Sequence, residues 1–515
     1  MRNSQQIPGQ RANILIICSD QHHPAMVGYR QYPFVKTPNL DHLACEGTHF
    51  TRAYANCAVC GPSRMSFMTG KYVHQIDSWS NGVPLSEEEK QKTWAARLDQ
   101  NGIESTCIGK IDSAGTVDDH NPGFTHFDEP LHRTAWDPYP REMPFVTRLP
   151  GYTRPASRRF LLEAGGGDVA KIDDRQELGF YGHDREVTDK TLAYLREKGQ
   201  AKSDSPWVLY VGYLYPHWPY RVPQEYFDMY YPDRVLMPHD AQFPNRDIHP
   251  AMQEWQASNV FGEVTEDMLR RTIAAYYGMI TCMDDMIGEI LDELRDQKLY
   301  ENTYIIYTSD HGESMGEHGL FFKHCSYEGA IGVPLVITGP GIPEGEVNTD
   351  TPVSLIDLYP TILDMAGLDP ELGLPGASWL PLVRGKPHKR SERVFAEWHG
   401  PQLRGAYYMI VRGDYKYTWY EFHPPSLFNV KEDPKEERDL ASDIEQADRL
   451  RAFEEELRSI VDPKATALRA KRDLGLIAPD GTDMTDSLIP WVGFEDGTLE
   501  KVMRADSARH RRKKI

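Results

Sequence analysis

Along the chain, uninterrupted apolar runs alternate with longer stretches in which apolar residues recur at helical spacing. Asn13-Ile14-Leu15-Ile16-Ile17-Cys18 is continuous rather than alternating, as expected of a central strand covered on both faces. Trp207-Val208-Leu209-Tyr210-Val211-Gly212-Tyr213, Thr303-Tyr304-Ile305-Ile306-Tyr307-Thr308-Ser309 and Val333-Pro334-Leu335-Val336-Ile337 read as further buried strands, with a shorter one over 105–108. Between them, helices are expected from Thr37 to a stop at Gly47, and over 93–100, 186–198 and 354–365. One or two long amphipathic helices are expected over 268–299. Met279, Met283 and Met286 repeat there with Ile280, Ile287, Ile290, Leu291 and Leu294, which makes these methionines core. Strands interleaved with helices give an α/β class.

A shift to Lys, Arg, His, Gly and Pro over 384–391 reads as a linker. Short aromatic strands follow at 394–397, 406–411, 415–420 and 427–430, then a helix over 444–460. This is a small α+β unit. The expected organisation is a large α/β domain over 1–385, the small subdomain over 391–465 and a C-terminal extension over 466–515. That extension either closes the pocket or contacts a neighbouring subunit in a homo-oligomer. Residues 121–182 read as long loops around a pocket mouth.

With 515 residues, 40% of them hydrophobic, the chain has material for a large core and more than one structural unit. The formal net charge of −20 argues against nucleic acid or an anionic membrane as partner. The basic run Arg509-His510-Arg511-Arg512-Lys513-Lys514 reads as a solvated tail. The polar start leads into an apolar run too short for a signal peptide, and no stretch of about 18 apolar residues occurs, so a cytoplasmic location is expected. Seven scattered cysteines do not read as a disulfide framework.

The chemistry centres on Cys57-Ala58-Val59-Cys60-Gly61-Pro62-Ser63-Arg64, continuing Met65-Ser66-Phe67-Met68-Thr69-Gly70. Pro62 suits the first turn of a helix, so Cys60 is placed just before a helix N-terminus, where amide donors and the dipole favour an anion. Arg64, one turn in, offers a fork for two oxyanion oxygens. Cys57 and Cys60 also spell Cys-x-x-Cys, a redox pair or half a zinc site. Two strands deliver polar ends: the first Asp20-Gln21, the third Asp310-His311-Gly312-Glu313. In open α/β sheets ligands bind at that edge.

Cys60-x-Pro62-Ser63-Arg64 with Thr69-Gly70 resembles the signature of the type I, formylglycine-dependent sulfatases of the alkaline phosphatase superfamily. Four further motifs strengthen the likeness, which covers most of residues 12–465. The resemblance implies a large mixed, mostly parallel sheet sandwiched by helices. It also implies that Cys60 is oxidised to 3-oxoalanine (formylglycine) by a formylglycine-generating enzyme. The hydrated aldehyde then attacks the sulfur of a small-molecule or carbohydrate sulfate ester. It implies a metal site of Asp20, Gln21, Cys60, Asp310 and His311, a mostly oxygen donor set that suits Ca²⁺ and admits Mn²⁺ or Mg²⁺.

By the same resemblance Arg64, Lys110 and Lys323 neutralise sulfate oxygens, and His217, in Pro216-His217-Trp218-Pro219-Tyr220, assists the departing alcohol. Asn81, in Ser80-Asn81-Gly82-Val83-Pro84-Leu85, falls where relatives place a substrate-side amide, although Asn-Gly is also a common turn. Lys110 lacks the histidine that usually follows it; Ile111-Asp112-Ser113 stands there, leaving Asp112 or water as the base for the second step. Glu313, Glu317 and His318 are read as loop or supporting residues, and Glu328 as the structural partner of a cation. Some phosphonate monoester hydrolases share the formylglycine, the Asp-Gln and Asp-His pairs and the Asn-x-Val-Pro-Leu run, so they are the alternative. A non-catalytic metal- or thiol-binding protein is the remaining one.

Overall fold

The computed structural model describes residues 11–485 except 82, 114–120, 130–160, 162–163, 168–170, 173–176, 202–204, 242, 244, 246, 260–263, 370–372, 388–391, 401–402, 404 and 484. Much of the expected pocket-mouth region, part of the linker, and the basic tail lie outside the described residues.

The main sheet contains β1 (Asn13–Ser19), β2 (Gly47–Phe50), β3 (Glu104–Gly109), β4 (His126–Asp128), β5 (Trp207–Gly212), β6 (Thr303–Ser309), β7 (Leu335–Thr338) and β8 (Glu346–Asn348). Its order is β8-β2-β7-β6-β1-β5-β3-β4. Every neighbouring pair is parallel except the two that β7 makes, with β6 and β2. The expected mixed, mostly parallel sheet is therefore present. All seven residues of β1 and of β6 are buried, which is why these strands read as unbroken apolar runs.

Helices cover both faces: α1 (Pro38–Cys45), α2 (Cys60–Thr69), α3 (Trp94–Gln100), α4 (Phe180–Gln200), α5 (Glu266–Asp296) and α6 (Leu358–Met365). Leu15 and Ile17 pack with Met279, Ile280 and Met283 of α5 on one side. Ile14 and Ile16 pack with Met65, Phe67 and Met68 of α2 and Ile362 of α6 on the other. Alternation along one strand thus feeds two cores, each fully buried side chain contributing about 1.5–3 kcal/mol. The 268–299 pattern forms a single helix, α5, capped by the Thr265 side chain on the Met268 N–H.

The first helix, α1, ends at Cys45, close to the expected stop at Gly47, and Gly47 itself opens the strand β2. A Cβ at Gly47 would stand 2.2 Å from the Ile337 carbonyl oxygen, so glycine is required by the close approach of β2 to β7.

The C-terminal unit is a four-stranded antiparallel sheet of β9 (Arg393–Trp398), β10 (Tyr407–Arg412), β11 (Tyr415–Tyr420) and β12 (Ser426–Asn429), in that order. Phe453 and Leu457 of α7 (Ala447–Ile460) pack with Tyr408, Ile410, Tyr417 and Leu427 from it. A further helix, α8 (Pro463–Asp473), runs across the boundary expected between 465 and 466. Lys416 of β11 pairs with Glu328 at 2.9 Å and Glu436 at 2.6 Å, so Glu328 has the structural cation partner expected of it. Among the described residues no helix is long and apolar enough to cross a membrane.

Candidate active site

Strand register builds the site. Ser19 and Ser309 are paired neighbours at the ends of β1 and β6, and the Asp310 N–H donates to the Ser19 carbonyl at 3.3 Å. The next residue of each strand, Asp20 and Asp310, therefore emerges side by side at the C-terminal edge of the sheet. β5 and β3 end level with them, with Gly109 opposite Gly212. A Cβ on Gly212 would lie 2.0 Å from the Lys110 carbonyl oxygen, so only glycine lets the end of β3 fold across β5 and bring Lys110 in.

Against this edge stands α2, whose ten residues are all buried, Arg64 included. Cys60 is the first residue of the helix, with Val59 as its N-cap, rather than the residue before it. Its Sγ lies 3.3 Å from His311 Nε2, 3.5 Å from Lys323 Nζ and 3.7 Å from Asp20 Oδ1. Burial, with Asp20 nearby, pushes the thiol up to about 11, so an unmodified Cys60 is a poor nucleophile near neutral pH.

The ligand atoms of Asp20, Cys60, Asp310 and His311 all lie within 4.8 Å of one another, and all four residues are buried. His311 Nδ1 is 2.9 Å from the Gly312 carbonyl, so the neutral ring donates there and turns the Nε2 lone pair toward the cluster. Burial, opposed by the Asp310 charge, holds the His311 pKa down to about 4, which keeps it in that ligating form. Two carboxylates and an unprotonated imidazole converging in a buried cluster fit a divalent cation. Gln21, the remaining expected ligand, stands beside them with its Oε1 accepting from Lys323 Nζ at 2.6 Å.

Arg64 differs from expectation. Its Nε donates to Asp310 Oδ2 at 2.9 Å, and Nη1 to the Lys110 carbonyl and the Tyr210 hydroxyl at 2.7 and 2.8 Å. Nη2 reaches Ser19 O and Asp20 Oδ2, each at 3.5 Å. All five N–H donors are engaged by protein atoms, so the guanidinium clamps the two carboxylates and leaves no fork for oxyanion oxygens. Nothing in the sequence pointed to Tyr210, one hydroxyl inside an apolar strand.

The lysines do face the centre. Lys110 Nζ pairs with Asp20 Oδ2 and lies 3.6 Å from Asp112 Oδ2. Lys323 Nζ lies 2.8 Å from His217 Nε2 as well as near Cys60 and Gln21. Burial works to raise the Asp20 carboxyl, but Lys110, His217, Lys323 and Arg64 together hold it well below the usual range. His217 Nδ1 is 2.5 Å from the Trp218 carbonyl, which leaves Nε2 as the acceptor from Lys323. Burial and the Lys323 charge hold its pKa well below 6.5.

Asn81 is engaged by the protein: its Oδ1 accepts from the Gly61 N–H at 2.7 Å, satisfying one free amide in the first turn of α2. Glu317 and His318 turn away, to His23 at 3.3 Å and Asp240 at 2.8 Å. Glu313 is fully buried, its carboxyl raised by burial and pulled back by the Met315 and Phe322 amides, Tyr220 and Gln21. The sequence signal for it was its place three residues after Asp310. All seven cysteines are free, so Cys57 and Cys60 form no disulfide.

Known proteins resemble most of this chain. A family model described as sulfatase matches residues 12–368, and one described as N-sulphoglucosamine sulphohydrolase, C-terminal, matches 316–462. Arylsulfatase K of Rattus norvegicus is 30% identical over 485 residues, covering 89% of this chain and 79% of that protein. Choline-sulfatase of Rhizobium meliloti (strain 1021) is 31% identical over 444 residues, covering 84% and 82%. The crystal structure of a phosphonate monoester hydrolase of Agrobacterium radiobacter superposes with a TM-score of 0.69 at 26% identity, covering 89% and 96%. With a family model spanning more than half its length and the cysteine, the acids and the lysines gathered at one sheet edge, the chain belongs to the sulfatase family of sulfuric ester hydrolases.

Proposed function

We propose that this enzyme hydrolyses a sulfate monoester of a small alcohol or carbohydrate to the alcohol and inorganic sulfate, with formylglycine at position 60 and one divalent cation, Ca²⁺ by its donor set. The observation that supports this most directly is the position of Cys60 Sγ, within 3.3–3.7 Å of His311, Lys323 and Asp20 at the first turn of α2. Asp20, Asp310, His311 and Gln21 would hold the cation, which when bound supplies Lewis-acid polarisation of a sulfate oxygen. The oxidised and hydrated residue 60 supplies a hydroxyl nucleophile that the raised thiol does not.

The remaining work belongs to the chain's own side chains. Arg64 holds the Asp20 and Asp310 carboxylates at fixed separation. Lys110 and Lys323 place positive charge where the non-bridging oxygens of sulfate gather. His217 is neutral and its Nε2 accepts a hydrogen bond from Lys323 Nζ. The proton for the departing alkoxide would therefore come from the Lys323 ammonium, passed through Nε2, leaving Lys323 neutral until it is reprotonated by water. The base for the second step falls to Asp112, beside Lys110, or to water.

Co-expression with a formylglycine-generating enzyme tests the reading. Mass spectrometry of the peptide containing Cys60 should show the thiol converted to the aldehyde or its hydrate. The converted protein should turn over aryl and choline sulfates, lose activity to a chelator and regain it with Ca²⁺. Faster turnover of an aryl phosphonate than of any sulfate would favour the phosphonate hydrolase reading. An unmodified Cys60 would favour simple metal or thiol binding.

A further inference from the structure

Gln21 is held at all four of its polar atoms. Its N–H donates to Asp310 Oδ1 at 3.1 Å and its carbonyl accepts from the Tyr276 hydroxyl at 2.6 Å. Its Oε1 accepts from Lys323 Nζ at 2.6 Å, and its Nε2 donates to Glu313 Oε2. The backbone at Gln21 is left-handed, with φ 65°, a conformation unfavourable for a non-glycine residue that persists where the surroundings impose it. An amide side chain has nearly the same shape with its oxygen and nitrogen exchanged, so the neighbours decide which end faces inward.

The ammonium of Lys323 only donates, and therefore needs the oxygen. On the other side, Glu313 receives donors alone. Its Oε1 accepts from the Met315 and Phe322 N–H groups at 2.9 and 2.5 Å, and its Oε2 from the Tyr220 hydroxyl at 2.9 Å besides Gln21. Phe322, also left-handed at φ 68°, immediately precedes Lys323. One carboxylate thus grips the amide end of Gln21 and the backbone that carries Lys323.

We infer that Glu313 is a positioning residue: its carboxylate fixes the Gln21 amide with the oxygen toward Lys323 and the Asp20–Asp310 cluster, and sets the register of Lys323 against position 60. This role rests on the reading above that Gln21 supplies an oxygen to the cation. Replacing Glu313 by Gln makes the argument specific. The new amide must keep its oxygen on Met315 and Phe322, so its nitrogen faces Gln21. Gln21 then turns over and points its own nitrogen at Lys323. Exchanging the two residues, Gln21→Glu with Glu313→Gln, restores an oxygen there at unchanged net charge.

Ca²⁺ affinity of the full chain, measured by calorimetry alongside thermal unfolding, tests this. Glu313→Gln should bind Ca²⁺ about tenfold or more weakly, the usual scale for losing a group that orients a ligand. The exchanged double variant should recover most of the loss. Wild-type affinity in Glu313→Gln, or a double variant as weak as the single one, would overturn the role. If Glu313→Gln does not fold, recovery of fold and affinity by the double variant still supports it, and failure of both to fold overturns it by assigning Glu313 to stability alone. A wild-type chain that binds no divalent cation would instead sink the metal reading itself, and this role with it.

Discussion

Arg64 Nε donates to Asp310 Oδ2 across 2.9 Å with both side chains wholly buried, and the same guanidinium lies 3.5 Å from Asp20. Arg64→Ala would leave two carboxylates in a buried cluster without their fixed counter-charge. Losing one partner of a buried pair costs about 3–5 kcal/mol. A urea unfolding series should show that loss, with Arg64→Lys in between because a point charge cannot replace the planar fork. Unchanged stability in Arg64→Ala would mean the clamp is not structural.

His217 predicts a dependence on the leaving group. A group that protonates the departing alkoxide matters most when that alkoxide is a strong base. His217→Ala should lower kcat/KM about 10²–10⁴-fold for an alkyl sulfate and much less for a nitrophenyl sulfate. A uniform loss across a graded series of leaving groups would instead place His217 in binding.

How much of this was legible beforehand differs by kind of residue. Asp20 and Asp310 were readable because each follows an unbroken apolar strand, and two such strands in parallel register must deliver their next residues together. Cys60 was readable from its motif. The duties of Arg64 and Asn81 were not, because a side chain type does not say whether its donors and acceptors are already engaged. Arg64 needed the Tyr210 hydroxyl of β5 and the Lys110 carbonyl just past β3, both distant in sequence, before its five donors could be counted. Strand β2 escaped notice because Gly47-Thr48-His49-Phe50 is too short for periodicity, and its glycine serves a close backbone approach that sequence spacing does not reveal.

Asn81 can be separated into its two chemical halves. Asn81→Asp keeps the oxygen that accepts from the Gly61 N–H and removes the amide hydrogens; Asn81→Ala removes both. If capping is its work, Asn81→Ala should lose about 1 kcal/mol of stability with a drop in kcat, and Asn81→Asp should keep most of both. Equal loss of substrate affinity in the two variants would return Asn81 to the substrate.

A buried acid behind the Cys57–Cys60 turn, its backbone N–H bonded to the Asn56 carbonyl, predicts the pH dependence of stability. Glu397 Oε1 lies 2.8 Å from His74 Nδ1 and its Oε2 lies 2.8 Å from His399 Nε2. Burial opposes the Glu397 charge, but His74 and His399 hold the carboxyl well below its ordinary 4.5, while Glu397 overcomes burial to raise His74 above its ordinary 6.5. The depressed acid stabilises the fold above pH 4.5 and loses that contribution as pH falls through its folded value. The raised histidine contributes below pH 6.5 and loses that as pH rises through its folded value. Urea midpoints should therefore separate wild type from Glu397→Gln most widely between about pH 4.5 and 6.5. A gap of constant width from pH 3 to pH 8 would contradict the pairing.

Cys60 is 1% exposed at the start of a helix with no outward face, and the residues that enclose it, Asp310, His311 and Lys323, come some 250 positions later in the chain. A ribosome adding about 5–20 residues per second delivers that second half roughly 10–50 s after the first. On the proposed reading, in which residue 60 becomes an aldehyde, the oxidising catalyst reaches the thiol in that interval, on the nascent strand, before the later residues dock over it. On that reading, supply of the modifying catalyst during translation, rather than its abundance afterwards, sets the fraction of molecules converted.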